Sequence, residues 1–332
     1  MIQPAAVPLP SATAPALPMP AEPPAESSAA EAVPAPVPLG VRIVTLLGVI
    51  LPFLGLATAI VLLWGWGFSW VHLGLMAGMY VATALGITVG YHRLFTHRSF
   101  EATRAVKFVF AVLGSMALEG PVLKWVAMHR RHHQHSDGEH DPHSPHHHGS
   151  GLRGVIAGFW HAHLGWIFDP DPADLPRYVG DLAADPMLRT VSRTWVLWSA
   201  AGLAIPAVLG GLLTWSWSGV LLGFVWGGLA RAFLVHHVTW SINSVCHLWG
   251  TRPFRSRDLS RNNAVFGVLG MGEGWHNNHH AFPTSARHGL RWWEVDLSYW
   301  VICALERLGL AWKVRVPAPA TIAAKRRAPA GA

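Results

Sequence analysis

The stretch IVTLLGVILPFLGLATAIVLLWGWGFSWVHLGLMAGMYVATALGITVGYH, residues 43–92, contains no Lys, Arg, Asp or Glu. It is more than twice as long as the ~20 residues that cross a bilayer as one helix. Residues 65–70 (GWGFSW) interrupt it, because glycine permits a turn and tryptophan prefers the membrane interface. We therefore predict a hairpin of two transmembrane helices, about residues 43–64 and 69–90.

A second charge-free run, residues 194–230, breaks at WSWSG (215–219) and predicts a second hairpin, about 194–214 and 219–240. Both hairpin turns lack Lys and Arg, whereas the other connections carry them. The positive-inside rule therefore predicts that both termini, the middle segment and the C-terminal third face the cytoplasm. Two shorter apolar stretches, 106–118 and 155–168, are predicted to be interfacial or re-entrant helices. Only then do all the histidine motifs described below share one face.

The composition also indicates a membrane protein, because 51% of residues are hydrophobic and only 13% are charged. The net charge of +7 comes from dispersed Lys and Arg, which favours loops beside a bilayer over nucleic-acid binding. Cys246 and Cys303 have no CxxC spacing, which argues against a disulfide framework, a zinc ribbon or an iron–sulfur cluster.

Three domains are predicted along the chain. Residues 1–40, rich in Pro and Ala, form a disordered tail. Residues 41–315 form the membrane domain, with cytoplasmic segments 91–193 and 241–315. Residues 316–332 form a basic C-terminal tail.

Spaced histidines are the strongest functional signal. They occur as HRLFTH (His92, His97), HRRHH (His129, His132, His133) and HNNHH (His276, His279, His280). The i, i+3, i+4 spacing of the last two motifs places three imidazoles on one helical face. On an ideal α-helix His92 and His97 would point about 140° apart, so we expect them to grip a cluster from the helix edge. Asn243 and His247 share a helical face just after the last predicted span.

Such a set of histidines predicts a site for two metal ions, since eight or nine ring nitrogens exceed what one ion accepts. Imidazole suits Fe, Zn, Cu and Ni alike, so the ligand type does not choose the metal. No carboxylate stands out beside the motifs, which argues against a hydrolytic zinc site. A pair of redox-active metals would suit O2 activation if electrons arrive from elsewhere.

Four stretches resemble the membrane-bound fatty acid desaturases, in particular the stearoyl/acyl Δ9 branch. They are GYHRLFTHRSF (90–100), HRRHHQHSD (129–137), NSVCHLWG (243–250) and GEGWHNNHHAFP (272–283), and the match runs over about residues 41–315. The resemblance implies an all-α integral membrane fold: four transmembrane helices as two hairpins, with a cytoplasmic helical cap carrying a histidine-rich dimetal site. It implies a reaction that uses O2 and two electrons to insert a cis double bond, at Δ9, into a saturated acyl chain.

The same resemblance implies a non-haem di-iron centre, with Asn243 contributing through a bound water. The implied histidine ligands are His92, His97, His129, His132, His133, His247, His276, His279 and His280. Trp125, one turn before His129, is a candidate wall of an apolar substrate tunnel. Ala127 and Met128 stand where animal acyl-CoA members carry a charged pair, which leaves CoA, carrier protein and membrane lipid open as acyl carriers.

The implied partners are a long-chain fatty acyl substrate, membrane lipid and an external electron donor, with no nucleic acid. The chain has no HPGG-type haem motif, no cysteine set for an iron–sulfur cluster and no GxGxxG loop for a flavin. We therefore expect a ferredoxin or a cytochrome b5 type of donor with its reductase, docked on the basic face. The expected location is a bacterial inner membrane, with the active site in the cytoplasm.

Three other functions were weighed against the histidine motifs. A related di-iron hydroxylase or oxygenase of lipids, alkanes or carotenoids stays open. A metal transporter is less favoured, because transport needs ionisable groups within the membrane and the charge-free runs offer only His72 well inside a span. A structural anchor leaves the spacing unexplained. Within 129–148, DPHSP is predicted to order the site, and residues 146–148 to be a solvated loop without a catalytic role.

Overall fold

The computed structural model describes residues 37–65 and 67–327, and most of them are helical. The predicted N-terminal tail lies outside the described residues up to residue 36. Residues 328–332 of the predicted C-terminal tail also lie outside them. The fold described below is therefore that of the chain between these limits.

The long helices alternate with shorter ones that carry the polar segments. In chain order the helices are α1 (Leu39–Trp64), α2 (Trp70–Leu85), α3 (Arg104–Ser115), α4 (Val122–His135), α5 (Gly151–His163), α6 (Gly180–Ala183), α7 (Pro186–Arg193), α8 (Trp195–Thr214), α9 (Trp217–Gly223), α10 (Arg231–Leu248), α11 (Ala264–Leu269), α12 (His276–Ala281), α13 (Leu297–Arg307) and α14 (Pro319–Lys325). Two π-helical segments, Gly86–Thr96 and Phe224–Ala230, continue α2 and join α9 to α10. Two 3-10 helices cover Gly165–Phe168 and Leu175–Val179.

Four helical stretches of the described chain are long and apolar enough to cross a membrane: Leu39–Trp64, Trp70–Thr96, Trp195–Thr214 and Trp217–Leu248. The four predicted spans are therefore confirmed as helices of suitable length and composition. The second and fourth helices continue six and eight residues past their predicted ends, to Thr96 and Leu248. These extensions carry His92, Asn243 and His247.

The shorter apolar helices are too short to span. α3 and α5 have 12 and 13 residues, which is about 18–20 Å of helix against a hydrocarbon core of about 30 Å. α3 packs very closely on the end of the second span, since a Cβ on Gly86 would lie 2.2 Å from the backbone nitrogen of Gly114. This contact requires glycine at Gly86, which is the first residue of the π-helical segment.

The fourth span contains a buried guanidinium, that of Arg231. Its nitrogens donate to the carbonyls of Gly227 at 3.2 Å, Met116 at 2.9 Å and Gly202 at 2.8 Å. The charged group therefore joins α10, α8 and the end of α3. Arg231 is therefore an ionisable group within a span in addition to His72. Its guanidinium binds backbone carbonyls that hold helices together, which is a structural role.

The main hydrophobic core lies where the second span meets the polar segments. Tyr91 and Phe95 of the π-helical segment, Val126 of α4 and Ile302 of α13 belong to this core and are buried. A two-stranded sheet closes it, with β1 (Glu101–Ala102) antiparallel to β2 (Ala311–Trp312). The core holds the end of the second span against α4, and both elements carry histidine motifs.

The end of the described chain packs back on the third histidine motif. α14 lies within the predicted C-terminal tail, and its Lys325 donates from Nζ to the carbonyl of Ala281 at 2.5 Å. Arg326 pairs with Phe254 in an isolated β-bridge. Residues 319–326 therefore support the end of α12.

Candidate metal centre

His92 and His97 lie close together although five residues separate them. The preceding segment is a π-helix, and the amide of His97 donates to the carbonyl of His92 at 3.1 Å. This i→i+5 pattern brings residue i+5 next to residue i. The ring centroids are 4.8 Å apart. The expected separation of 140° is wrong, because it assumed an α-helix.

α4 presents its three histidines to two different places. The Nε2 atoms of His129 and His133 are 3.1 Å apart. The ring of His132 instead lies 5.3 Å from the rings of both His247 and His280. One helix therefore contributes histidines to two neighbouring clusters.

α12 does the same from the opposite side. Nε2 of His279 is 3.0 Å from that of His92 and 2.9 Å from that of His133. Nε2 of His276 is 3.0 Å from that of His247, at the end of α10. The short helix α12 thus closes both clusters.

All nine predicted histidines fall into these two clusters, and within each cluster the possible ligand atoms lie within 4.8 Å of one another. The first histidine group is His92, His97, His129, His133 and His279. The second histidine group is His132, His247, His276 and His280. The structure therefore brings together residues from four separate segments of the sequence.

The chemistry of both groups suits metal ions. Two nitrogens bound at right angles to one ion at ~2.1 Å are about 3.0 Å apart, and the Nε2 pairs are separated by 2.9–3.1 Å. Nε2 of His97, His132 and His280 is buried without a hydrogen-bond partner among the described residues. Buried polar atoms are normally satisfied, so these atoms fit an ion as their missing partner.

Carboxylates stand behind four of the imidazoles, and the histidine motifs did not predict them. Each accepts from the Nδ1 of one histidine, which leaves Nε2 free to bind a metal. The pairs are Glu273 with His92 at 2.5 Å, Asp141 with His132 at 2.9 Å, Asp137 with His247 at 2.9 Å and Asp258 with His280 at 2.7 Å. The four carboxylates therefore lie directly behind the predicted histidine ligands, although none of them stood out in the sequence.

Burial favours the neutral form of six of the nine imidazoles, and their surroundings keep the carboxylates charged. Burial, reinforced by neighbouring histidines, lowers the pKa of five rings well below the usual value: His97, His129, His133, His276 and His279. Burial alone would raise the pKa of Asp258, but the hydrogen bonds that its carboxylate accepts from His280 and Ser260 hold it well below its ordinary value. Neutral imidazole is the form that binds metals.

Trp125 lies directly against the first histidine group. Its ring stacks on His129 with centroids 5.0 Å apart and meets the ring of His92 at 6.2 Å. Its Nε1 donates to Oε2 of Glu119 at 3.0 Å. Asn243 is partly buried one turn before His247, and its side chain makes no hydrogen bond with another described residue, so its role stays a prediction.

Arg93 and His288 complete the surroundings of the first histidine group, and the sequence reasoning missed both. Arg93 is fully buried and binds Glu273 at 3.1 Å and Asp296 at 2.8 Å. The ring of His288 lies 4.5 Å from that of His279. For Arg93 the available signal was an arginine directly after a motif histidine. If such an arginine is buried with the site, it needs buried carboxylates as partners.

The loop after His133 has an ordered part and an exposed part. Asp141 of DPHSP binds His132, and His143 is buried with its ring 4.3 Å from that of His132. His146 is partly buried and donates from Nε2 to the carbonyl of His247 at 3.2 Å. Only His147 of residues 146–148 is exposed, so the expectation of a wholly solvated run is wrong for its neighbours.

Comparison with known proteins shows independently which family the sequence is similar to. The sequence model of the fatty acid desaturase family matches residues 68–302. The chain is 44% identical over 281 residues to hex-5-enoyl-(acyl-carrier protein) acetylenase of Moorena producens (strain JHB), covering 84% of this chain and 88% of that protein.

Two further relatives act on other forms of acyl chain, according to their names. The sn-1 stearoyl-lipid 9-desaturase of Anabaena variabilis is 41% identical over 252 residues, covering 75% of this chain and 86% of that protein. The icosanoyl-CoA 5-desaturase of Limnanthes douglasii is 39% identical over 260 residues, covering 77% and 67%. The three names include three different acyl carriers.

Proposed function

This chain belongs to the membrane-bound fatty acid desaturase family, and from that premise we propose that it inserts a cis double bond at Δ9 of a saturated acyl chain. The activity as an oxidoreductase on fatty acyl chains follows from the family and its named desaturases. The position of the double bond, the two iron ions and the partners are the proposal. The stearoyl-lipid 9-desaturases among the relatives favour Δ9.

The observation that carries the proposal is the pair of histidine groups, in each of which the possible ligand nitrogens lie within 4.8 Å of one another. Two iron ions held there would supply the oxidising power needed to remove two hydrogens from an unactivated acyl chain. The reaction would use O2 and two electrons from the donor. The family generally uses iron, and the all-nitrogen donor set accepts it. We assign the nine histidines as ligands, and Asn243 as a contributor through water.

The chain's own residues bind, orient and exclude water. The carboxylates behind His92, His132, His247 and His280 hold the Nδ1 protons, so that each Nε2 lone pair points into the centre. Trp125 offers an apolar face beside His129 and His92, where a chain must be held still for one C–H bond to react. The burial of both groups keeps bulk water away.

Electrons come from an external donor in this proposal, a ferredoxin or a cytochrome b5 type with its reductase. The sequence carries no motif for a haem, flavin or iron–sulfur cluster of its own. The proposed location is a bacterial inner membrane, with the metal centre and both termini facing the cytoplasm. There the basic loops would meet the donor.

The test is expression in a desaturase-deficient bacterium with a matching reductase, followed by mapping of double bonds in total fatty acids by mass spectrometry. We expect Δ9 cis unsaturation and about two irons per chain in the purified protein. His276→Ala should abolish the product. An alcohol or an alkyne in place of the alkene, or a metal-loaded protein without product, contradicts the proposal.

A further inference from the structure

A groove of about 520 Å³ lies between the start of α4, α7 and the start of α8. Its lining includes the basic side chains Lys124, Arg189 and Arg193 and the apolar side chains Pro121, Leu123 and Trp195, and none of the described residues that line it is acidic. We infer that this groove, here called the α7 groove, holds the phosphate of a membrane phospholipid whose acyl chain is the substrate. The inference rests on the proposed function.

The α7 groove lies at the depth of lipid headgroups. Trp195 is the first residue of α8, one of the four candidate spans, and Arg193 stands two residues before it. Val196 and Leu197 follow with 58% and 67% of their surface exposed, as expected for side chains that face lipid. A basic residue, then tryptophan, then aliphatic side chains is the order of headgroup, interface and hydrocarbon.

The cations of the α7 groove are available to an anion. Arg193 is exposed and makes no hydrogen bond or ion pair with another described residue. Arg189 uses one guanidinium nitrogen on the carbonyl of Ala183 at 2.6 Å, which leaves its other donors for a ligand. Lys124 pairs with Asp171 at 2.7 Å, and both side chains are about half exposed. Such exposed pairs contribute little, so a phosphate can compete for the lysine.

Phosphate is the anion that these side chains fit best. The planar guanidinium of arginine binds two phosphate oxygens at once, and lysine adds a point charge. The apolar floor of Pro121, Leu123 and Trp195 suits the glycerol and the first methylenes of an acyl chain. Water-soluble carriers also contain phosphate, but the lipid-facing Val196 and Leu197 beside the groove favour a ligand that comes from the bilayer.

α4 connects the α7 groove to the metal centre. Lys124 lines the groove, the next residue is Trp125, and His129 lies five residues from Lys124, which is about 7.5 Å along the helix axis. Trp125 stacks on His129, so α4 carries both the groove residues Leu123 and Lys124 and a direct neighbour of the first histidine group. A phospholipid held by its phosphate in the groove therefore has its acyl chain beside the wall assigned to the substrate.

The binding test uses the full metal-loaded chain in nanodiscs of phosphatidylethanolamine and phosphatidylglycerol, doped with a phospholipid that carries a photoreactive headgroup. We expect cross-links in peptides from the starts of α4 and α8 and from α7. The double variant R189Q/R193Q should lower them at least fivefold, and Arg193→Lys, which keeps the charge but loses the two-point contact, should lower them less. The control Arg307→Gln removes an exposed arginine of α13 and should change nothing. Cross-links that ignore R189Q/R193Q overturn the inference.

The turnover test compares stearoyl chains on phospholipid, CoA and acyl-carrier protein, with the same electron donor. R189Q/R193Q should lower turnover of the phospholipid-linked chain about tenfold at unchanged metal content. A loss confined to the CoA or carrier-protein substrate assigns the groove to those carriers and overturns the inference. If no substrate is desaturated while cross-linking still depends on the two arginines, the proposed function fails and the α7 groove remains a phospholipid site.

Discussion

The two histidine groups differ in what lies behind their imidazoles. In the second group, His132, His247 and His280 each give their Nδ1 hydrogen bond to an aspartate, so three of four rings are backed by a carboxylate. In the first group of five, His92 alone has such a partner among the described residues, and that partner is Glu273. A carboxylate fixes the ring and makes the imidazole a stronger donor. The second group is therefore the more rigid and the more electron-rich.

The first group differs also in its neighbours. It borders Trp125, whose ring stacks on His129, and the buried Arg93, which holds Glu273. The side next to the assigned acyl chain is thus the one with less negative charge behind its ligands. We interpret the second group as the firmer metal holder and the first as the group nearer the substrate.

Loss of one ligand from either group should have the largest effect. His133→Ala in the first group and His276→Ala in the second each remove one Nε2 that faces another Nε2 at 2.9–3.0 Å. We expect desaturation to fall more than about 100-fold, since even changes behind a ligand cost up to about that factor. Fatty acid analysis and metal content measure it. The exposed His147→Ala is the control, and its desaturation activity should stay within about twofold of the wild type. Equal losses of activity in all three variants would show that the two histidine groups are no more important than the loop.

Neutralising the carboxylates should separate the two groups. Asp258→Asn and Asp141→Asn should each lower metal affinity about 10–100-fold at the second group. The neutral amide is a weaker acceptor for the Nδ1 hydrogen bond than the carboxylate, so the imidazole becomes a weaker ligand. Metal content after dialysis against a chelator should fall towards one ion per chain. Glu273→Gln should act on the first group only, and the exposed Asp169→Asn should act on neither. Loss of both ions from every variant would show that the two groups do not hold metals independently.

The spans and the histidine motifs were predictable because their signals are local. A long run without charged residues predicts a membrane-spanning helix by itself, and i, i+3, i+4 spacing predicts side chains on one face of a helix. The π-helix before His97 was not predictable from five-residue spacing, because the spacing of two histidines does not specify the backbone hydrogen-bond pattern between them. The carboxylates were missed for a related reason. Asp137 meets His247 across 110 positions of sequence, and no periodicity encodes such a contact.

Trp125 should have a smaller effect than any ligand or carboxylate. Trp125→Ala removes the apolar face beside His129 and leaves Glu119 without its indole donor, whereas Trp125→Phe keeps the face. We expect about tenfold lower kcat/KM for Trp125→Ala, together with double bonds at more than one position, because the chain is held less firmly. Mass spectrometry of product isomers checks this. A single unchanged isomer at full rate would show that Trp125 is only a packing residue.

Glu119 is the partner of Trp125 and should titrate in an unusual range. Burial raises its pKa to about 7, although hydrogen bonds from Thr239 and Trp125 oppose the rise. In the unfolded chain the same group titrates near 4.5. Between these values the unfolded chain loses a proton that the folded chain keeps. The folded state is therefore destabilised as pH rises from about 4.5 to about 7, and the cost is constant above that.

Glu119→Gln removes this titration and should change the pH dependence of stability more than the activity. At about 1.4 kcal/mol for each unit of pKa, the wild type loses about 3 kcal/mol between pH 4.5 and pH 7 that the glutamine variant keeps. The variant should therefore gain in Tm over the wild type at pH 8 and not at pH 4.5. Thermal unfolding in nanodiscs at several pH values measures it, with the exposed Glu306→Gln as control. A constant difference in Tm across this range would mean that the Glu119 carboxyl is ionised in the folded protein, and that its contact with Trp125 is an ordinary charged hydrogen bond.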